Sequence, residues 1–175
     1  DHVTPAADRL AMTELAAGTL DPGRAKVRVS RMEVEREGPS YTIDTVRQLR
    51  AKYGADTSMS WLMGADQLLR LHTWHGWGAL FEQVHLCIAT RPGFDLAALD
   101  GPVLDAMQQR LADTHLIQCT PSGHMWIDQT LAVDLSSTGL RQRLADGPIA
   151  NDPADDQLPA GVAHYIARHG LYQQA

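Results

Sequence analysis

Apolar residues recur along this chain with two different spacings, and segments of the two kinds alternate. Helical spacing predicts helices over residues 5–17, 42–53, 103–112, 137–145 and 159–169. Alternating or continuous apolar runs predict strands over residues 26–30, 60–63, 84–89, 116–119 and 125–127, and residues 31–36 continue the first of these less regularly. Strands that alternate with helices favour an α/β fold with a mostly parallel sheet and helices on both faces.

In such a sheet, ligands bind at the carboxyl ends of the strands. That rule selects the loop after Met63, the loop after Ala89 and the loop before Ser137. It also selects, less directly, the segment Ser40-Tyr-Thr42. These loops are therefore where we expect the functional residues.

Composition narrows the class of protein. A chain of 175 residues, of which 44% are hydrophobic and 21% charged, predicts one globular domain, with residues 136–175 as its helical C-terminal part. A formal net charge of −6 argues against a nucleic-acid partner, and no apolar run approaches the ~20 residues that span a membrane. Cys87 lies in an apolar run, so a reduced thiol and a cytoplasmic location fit best.

The segment from Asp134 to Arg141 combines hydroxyls, a predicted helix start and a cation. Asp134 or Ser136 can cap the helix, whose free N–H groups and positive dipole end favour a phosphate. Arg141, one turn further on, offers a forked donor for phosphate oxygens. An ordinary capped surface helix would show the same spacing, so the local sequence leaves both interpretations open.

Two further segments follow predicted strands or precede predicted helices. Gly64 permits close approach of a ligand to the backbone, and Asp66 can accept from ribose hydroxyls or simply cap a helix. Thr42 can cap the helix it begins or help to hold a carboxylate. Each signal is weak when taken alone.

The segment from His72 to Trp77 contains two Trp and two His residues. Trp74 can stack on a flat ring or be buried in the core. No Cys-x-x-Cys or His-Glu-x-x-His pattern supports a metal site at His72 and His75.

The chain carries none of the common loop motifs for nucleotide binding or covalent catalysis. The sequence contains no Walker loop, no Gly-x-Gly-x-x-Gly fingerprint and no Gly-x-Ser-x-Gly elbow. Phosphate binding without a nucleophile suits direct group transfer, in which positioning and charge stabilisation supply most of the catalysis.

Taken in order, several segments resemble one family, bacterial nicotinate mononucleotide adenylyltransferase. They are Arg36-Glu-Gly-Pro-Ser-Tyr-Thr42 with Thr45, Trp61-Leu-Met-Gly-Ala-Asp-Gln-Leu-Leu69 with Thr73-Trp74, Arg91-Pro-Gly93, Ser136-Ser-Thr-Gly-Leu-Arg141, and Leu158 to Ile166 with Gly170-Leu-Tyr172. The resemblance implies a Rossmann-like nucleotidyltransferase fold. It also implies transfer of AMP from ATP, assisted by Mg²⁺, to nicotinate mononucleotide, with deamido-NAD and pyrophosphate as products of a direct in-line attack.

The resemblance also assigns roles to individual residues. Thr42 and the backbone around His75 would hold the nicotinate carboxylate, and Trp74 would stack on the pyridine ring. In the ATP site, Gly64 and Asp66 would contact the ribose, Arg91 would line the adenine pocket, and Ser137, Thr138 and Arg141 would hold the phosphates, with Arg141 as the catalytic residue. No metal ligand from the protein and no membrane partner are implied, and a homo-oligomer is left open.

One departure from the family is large. Its members begin with a strand and a Gly-Gly-Thr-Phe-Asp-Pro-x-His-x-Gly-His loop that binds the ATP phosphates, and this sequence shows no counterpart. We therefore expect the sequence to be N-terminally incomplete, since catalysis without that loop would be impaired.

Two other interpretations stay open. One is a sister adenylyltransferase that acts on nicotinamide mononucleotide or phosphopantetheine. The other is a non-catalytic nucleotide-binding fragment.

Overall fold

The middle part of the chain forms a three-stranded parallel sheet. The computed structural model describes residues 4–90, 95, 99–130, 137–146 and 158–172. The strands are β1 (Ser60–Gly64), β2 (His85–Ala89) and β3 (Met125–Asp128), in the order β1-β2-β3. Gly64 pairs with Ala89 and Ala89 with Asp128, so the three carboxyl ends lie level with one another.

The central strand explains how the sheet is buried. In β2, every residue from His85 to Ile88 is buried, so both faces of this strand are covered. One face of the sheet carries the core side chains of Met63, Ile88 and Met125, among others. On the opposite face, at the outer strand, Leu62 remains 71% exposed.

Helices and short turns connect the strands. The helices are α1 (Ala6–Ala17), α2 (Thr42–Tyr53), α3 (Ala65–Leu68), α4 (Leu80–Gln83), α5 (Gly101–Arg110), α6 (Thr114–Cys119), α7 (Ser137–Asp146) and α8 (Ala160–His169). Two 3₁₀ turns, Leu71–Thr73 and Trp77–Ala79, lie between α3 and α4. No helix in the described ranges is long and apolar enough to cross a membrane.

The chain divides into two compact units. One comprises Asp1–Glu37 with Leu135–Ala175, and the other comprises Gly38–Asp134. In the first unit α1 packs on α8, where the hydroxyl of Tyr165 donates to the carboxylate of Asp8 at 2.8 Å. The second unit contains the sheet and helices α2 to α6.

The α/β class and the parallel sheet are confirmed, as are the five predicted helices and three of the predicted strands. The strand predicted over residues 26–30 and its continuation over 31–36 are wrong, because these residues form no strand and pair with none in the part of the chain that the structure describes. The strand predicted over residues 116–119 is also wrong. Its residues belong to α6, since the carboxylate of Asp113 accepts from the backbone N–H of Leu116 at 3.0 Å and begins a helix.

Some predicted features lie outside the described residues. They are the cap at Asp134 or Ser136 and the turn from Arg91 to Gly93.

Candidate active site

Helix α2 is oriented so that it begins at the carboxyl edge of the sheet. Near its C-terminus, the guanidinium of Arg50 donates to the carbonyl oxygens of Gln83 at 3.0 Å and Pro121 at 2.8 Å. Gln83 and Pro121 precede β2 and β3, so this end of α2 lies at the amino edge of the sheet. Twelve helical residues rise about 18 Å, which places Thr42 at the opposite edge, where the strands end.

Two chain segments form a cavity at that edge. Its volume is about 270 Å³, and it is lined by Ser40, Tyr41, Thr42, Thr73, Trp74 and His75. The first three residues lead into α2, and the other three lie after β1 and α3. The structure thus brings together Thr42, Trp74 and His75, which the sequence analysis expected in one site.

Local hydrogen bonds fix the second segment. The N–H and the hydroxyl of Thr73 both donate to the carbonyl of Arg70, at 2.9 and 2.7 Å. The N–H of Trp74 donates to the carbonyl of Leu71 at 3.0 Å, and Leu71 is fully buried. These hydrogen bonds within the 3₁₀ turn therefore hold Trp74 and His75 in position beside the cavity.

Trp74 lies between the hydrophobic core and the cavity. It is half-buried and packs against the hydrophobic core, and it also lines the cavity. A ring fixed on one side by the core and open on the other is suited to stacking on a flat ligand.

The start of α2 favours an anion in the cavity. The chain enters the helix at Tyr41 in an extended conformation, with φ −95° and ψ 141°. Tyr41 is therefore the N-cap residue, and the expectation that Thr42 caps the helix is wrong, because Thr42 is already helical. Backbone N–H groups and the positive end of the helix dipole attract negative charge at such a position, and the Thr42 hydroxyl is a further donor. The cavity thus combines an aromatic wall with hydrogen-bond donors.

The carboxyl end of β1 is accessible. Gly64 is exposed, and a Cβ added there would meet no atom within 4 Å, so a ligand has free approach to its backbone. Asp66 lies exposed in the first turn of α3. The loop predicted after Met63 is wrong, because β1 extends to Gly64 and α3 begins directly at Ala65, so that Asp66 is helical.

An acidic residue that the sequence analysis did not select lies at the end of β3. The carboxylate of Asp128 accepts from the N–H of Thr130 at 2.8 Å and from its hydroxyl at 2.6 Å. These hydrogen bonds hold the pKa of Asp128 below its ordinary value. The signal in the sequence is an Asp two residues before a Thr at a strand end, which is typical of a turn closed by the Asp side chain.

The predicted phosphate-binding residues belong to the other unit. Ser137 is the first residue of α7, and Thr138 and Arg141 are exposed on it. Arg91, predicted beside the adenine, lies outside the described residues. No three His, Cys, Asp or Glu side chains cluster as metal ligands in the ranges that are described.

Comparison with known proteins decides the family. A model of the cytidylyltransferase-like family matches residues 1–143. Proteins named probable nicotinate-nucleotide adenylyltransferase match nearly the whole chain. The one from Herminiimonas arsenicoxydans is 38% identical and covers 95% of this chain and 74% of its own. The one from Aeromonas salmonicida is 42% identical and covers 94% of this chain and 73% of its own.

The chain belongs to the nicotinate-nucleotide adenylyltransferase family. A third relative, from Yersinia enterocolitica, is 35% identical over 99% of this chain and 79% of its own.

Solved structures share the fold of this nicotinate-nucleotide adenylyltransferase family member. Plasmodium falciparum nicotinic acid mononucleotide adenylyltransferase complexed with APC aligns with a TM-score of 0.66 at 17% identity and covers 97% of this chain and 77% of that one. The same enzyme complexed with NaAD aligns with a TM-score of 0.62 at 16% identity and covers 98% of this chain and 76% of that one. The Rossmann-like nucleotidyltransferase fold is therefore confirmed.

Proposed function

We propose that this protein transfers the AMP group of ATP to nicotinate mononucleotide and releases pyrophosphate, with deamido-NAD as the other product. The observation that carries the proposal is the cavity at the start of α2, in which Thr42 and Trp74 meet in a member of this family. A flat ring with a carboxylate matches an aromatic wall next to hydrogen-bond donors.

In this proposal the cavity holds the nicotinate ring. The pyridine stacks on Trp74, which the core holds in place. The carboxylate accepts from the Thr42 hydroxyl, from the N-terminus of α2 and from the backbone around His75. Charge-assisted hydrogen bonds of this kind distinguish an acid from its amide.

The family motifs assign ATP to a second group of residues. Gly64 and Asp66 contact the ribose, and Arg91 lines the adenine pocket. Ser137, Thr138 and Arg141 hold the phosphates, and Arg141 is the residue that stabilises the charge developing on the leaving pyrophosphate. These roles follow the family motifs that the residues match.

The chemical step needs no nucleophile from the protein. An oxygen of the mononucleotide phosphate attacks the α-phosphorus of ATP, and the bond from that phosphorus to the pyrophosphate oxygen breaks in line. Mg²⁺, which the resemblance implies, would enter the site with ATP and would offset the negative charge of its phosphates. The enzyme contributes position and charge, which supply most of the catalysis in such transfers.

Both cysteines are free, with Cys87 buried and Cys119 exposed. Free thiols fit a reducing compartment, and we propose the cytoplasm as the site of action.

The experiment uses the full-length gene product with ATP, Mg²⁺ and nicotinate mononucleotide, and measures deamido-NAD and pyrophosphate. Trp74→Ala is expected to raise the KM for the mononucleotide by about 5- to 150-fold, since such stacking contributes ~1–3 kcal/mol, with a smaller effect on the KM for ATP. Arg141→Ala is expected to act mainly on ATP and on kcat.

An exposed arginine on α8 provides the matched control, because Arg168→Ala removes the same charge away from the proposed roles and should leave the kinetics unchanged. Equal loss for both substrates in Trp74→Ala would make Trp74 a core residue only. Absence of the two products with the wild-type enzyme would refute the proposed function.

A further inference from the structure

The rings of Tyr41 and His75 pack together at the mouth of the cavity. Their centroids lie 4.5 Å apart and their planes are inclined by 31°. Tyr41 immediately precedes α2, and His75 follows Trp74 in the other segment. The ring pair therefore connects the two segments that form the cavity.

The same two segments also meet in the core. Gly76 has a φ of +62°, and a Cβ placed there would lie 3.5 Å from the side chain of Ile43. Ile43 is 1% exposed, so this inner contact is buried. The Tyr41–His75 pair forms an outer contact next to it, because His75 is exposed and Tyr41 is 42% exposed.

The two contacts have different consequences. The inner one fixes the backbone at Gly76 through core packing. The outer one holds His75. In the proposed function, the backbone around His75 binds the nicotinate carboxylate. The Tyr41–His75 pair therefore joins the segment that carries Trp74 to the segment that begins α2, and both segments line the cavity.

We propose that Tyr41 is a positioning residue for the pyridine substrate, acting through His75. The proposal rests on the proposed function and adds to it a residue to which no role had been assigned. It predicts an effect that is confined to the mononucleotide, because both rings line this cavity.

The test measures KM for both substrates and kcat in full-length Tyr41→Ala, Tyr41→Phe and wild-type protein. Aromatic pairs contribute enough to change affinity by about 2- to 10-fold. We expect Tyr41→Ala to raise the KM for nicotinate mononucleotide within that range, with the KM for ATP and kcat within about twofold of wild type. Tyr41→Phe retains the ring and should restore the wild-type value.

A double-mutant cycle shows whether Tyr41 acts through His75. If it does, Tyr41→Ala should add little to the KM of His75→Ala, and fully additive effects would overturn the coupling. Tyr53→Ala is the matched control, since Tyr53 is 51% exposed at the other end of α2.

The remaining outcomes also decide the proposal. An unchanged KM in Tyr41→Ala, alongside normal wild-type turnover, would overturn this inference and leave the proposed function intact. Equal losses for both substrates would make the tyrosine merely structural, and a loss in Tyr41→Phe as large as in Tyr41→Ala would exclude the role of the ring. Failure of wild-type protein to use the mononucleotide would overturn both proposals together.

Discussion

A fully buried histidine links the beginnings of two strands. The Nε2 atom of His85 lies 2.8 Å from the carbonyl oxygen of Thr120, and its Nδ1 atom accepts from the backbone N–H of His124 at 3.2 Å. A carbonyl on one side and an N–H on the other fit the neutral ring with its proton on Nε2. Burial lowers the pKa of His85, the charges of His124 and Arg50 act in the same direction, and the Thr120 carbonyl opposes them.

This arrangement predicts that the protein loses stability in mild acid. The unfolded chain accepts a proton on this histidine near its ordinary pKa of about 6.5, while the folded state resists until the pH is lower. In the interval between the two pKa values the unfolded state binds more protons, so the free energy of unfolding falls as the pH falls. Urea unfolding between about pH 7.5 and about pH 5 measures this loss.

The substitution His85→Gln isolates the contribution of this ring. Glutamine keeps an N–H for the Thr120 carbonyl but cannot titrate. The variant should therefore lose less stability than wild type over the same pH interval, even if it is less stable than wild type at every pH. The matched control is His164→Gln, an exposed histidine on α8, which should follow the wild-type pH dependence. Identical pH slopes for wild type and His85→Gln would contradict the account.

At the scale of elements, helix boundaries are marked more clearly in the sequence than strands are. The helix predicted over residues 42–53 has the bounds that the structure shows, since Gly54, with a φ of +95°, ends it. Asp113 before α6 is the same kind of signal. The apolar pair Leu116 and Ile117 outweighed it in the sequence and favoured a strand.

Strand prediction failed for a segment in which apolar and polar residues alternate but which has no neighbouring strand to pair with. Val27 and Val29 alternate with polar residues as in a strand, but a strand also needs a neighbour to take up its backbone hydrogen bonds. Periodicity in one segment carries no information about that neighbour. β2 was recognisable because a continuous apolar run with two covered faces is typical of a central parallel strand.

The cap at Asp113 gives a direct stability prediction. Asp113→Ala removes the hydrogen bond to the N–H of Leu116 and should lower the free energy of unfolding by about 1 kcal/mol, or Tm by roughly 2–4 °C. Asp113→Asn retains a capping oxygen and should stay within a few tenths of a kcal/mol of wild type. Thermal unfolding of the three proteins measures both effects. Equal loss in both variants would show that the capping oxygen contributes nothing.

At the scale of the whole molecule, the candidate site draws on segments far apart in the sequence. The rule that ligands bind at carboxyl strand ends and the family motifs together directed attention to Thr42, Trp74 and His75, and the structure brings these three residues to one cavity. The packing of Tyr41 on His75 could not be predicted, because it depends on how two side chains are oriented across the cavity. The Asp128 turn was overlooked although its Asp-x-Thr spacing was visible in the sequence.

The central claim is that the cavity at the start of α2 recognises a nicotinate ring by its carboxylate. Its most direct test is the ratio of kcat/KM for nicotinate mononucleotide to that for nicotinamide mononucleotide, with ATP saturating. Hydrogen bonds to a charged group contribute ~1.5–3 kcal/mol, so the acid should be preferred by about 10- to 100-fold or more. Equal use of both mononucleotides, or preference for the amide, would contradict the account.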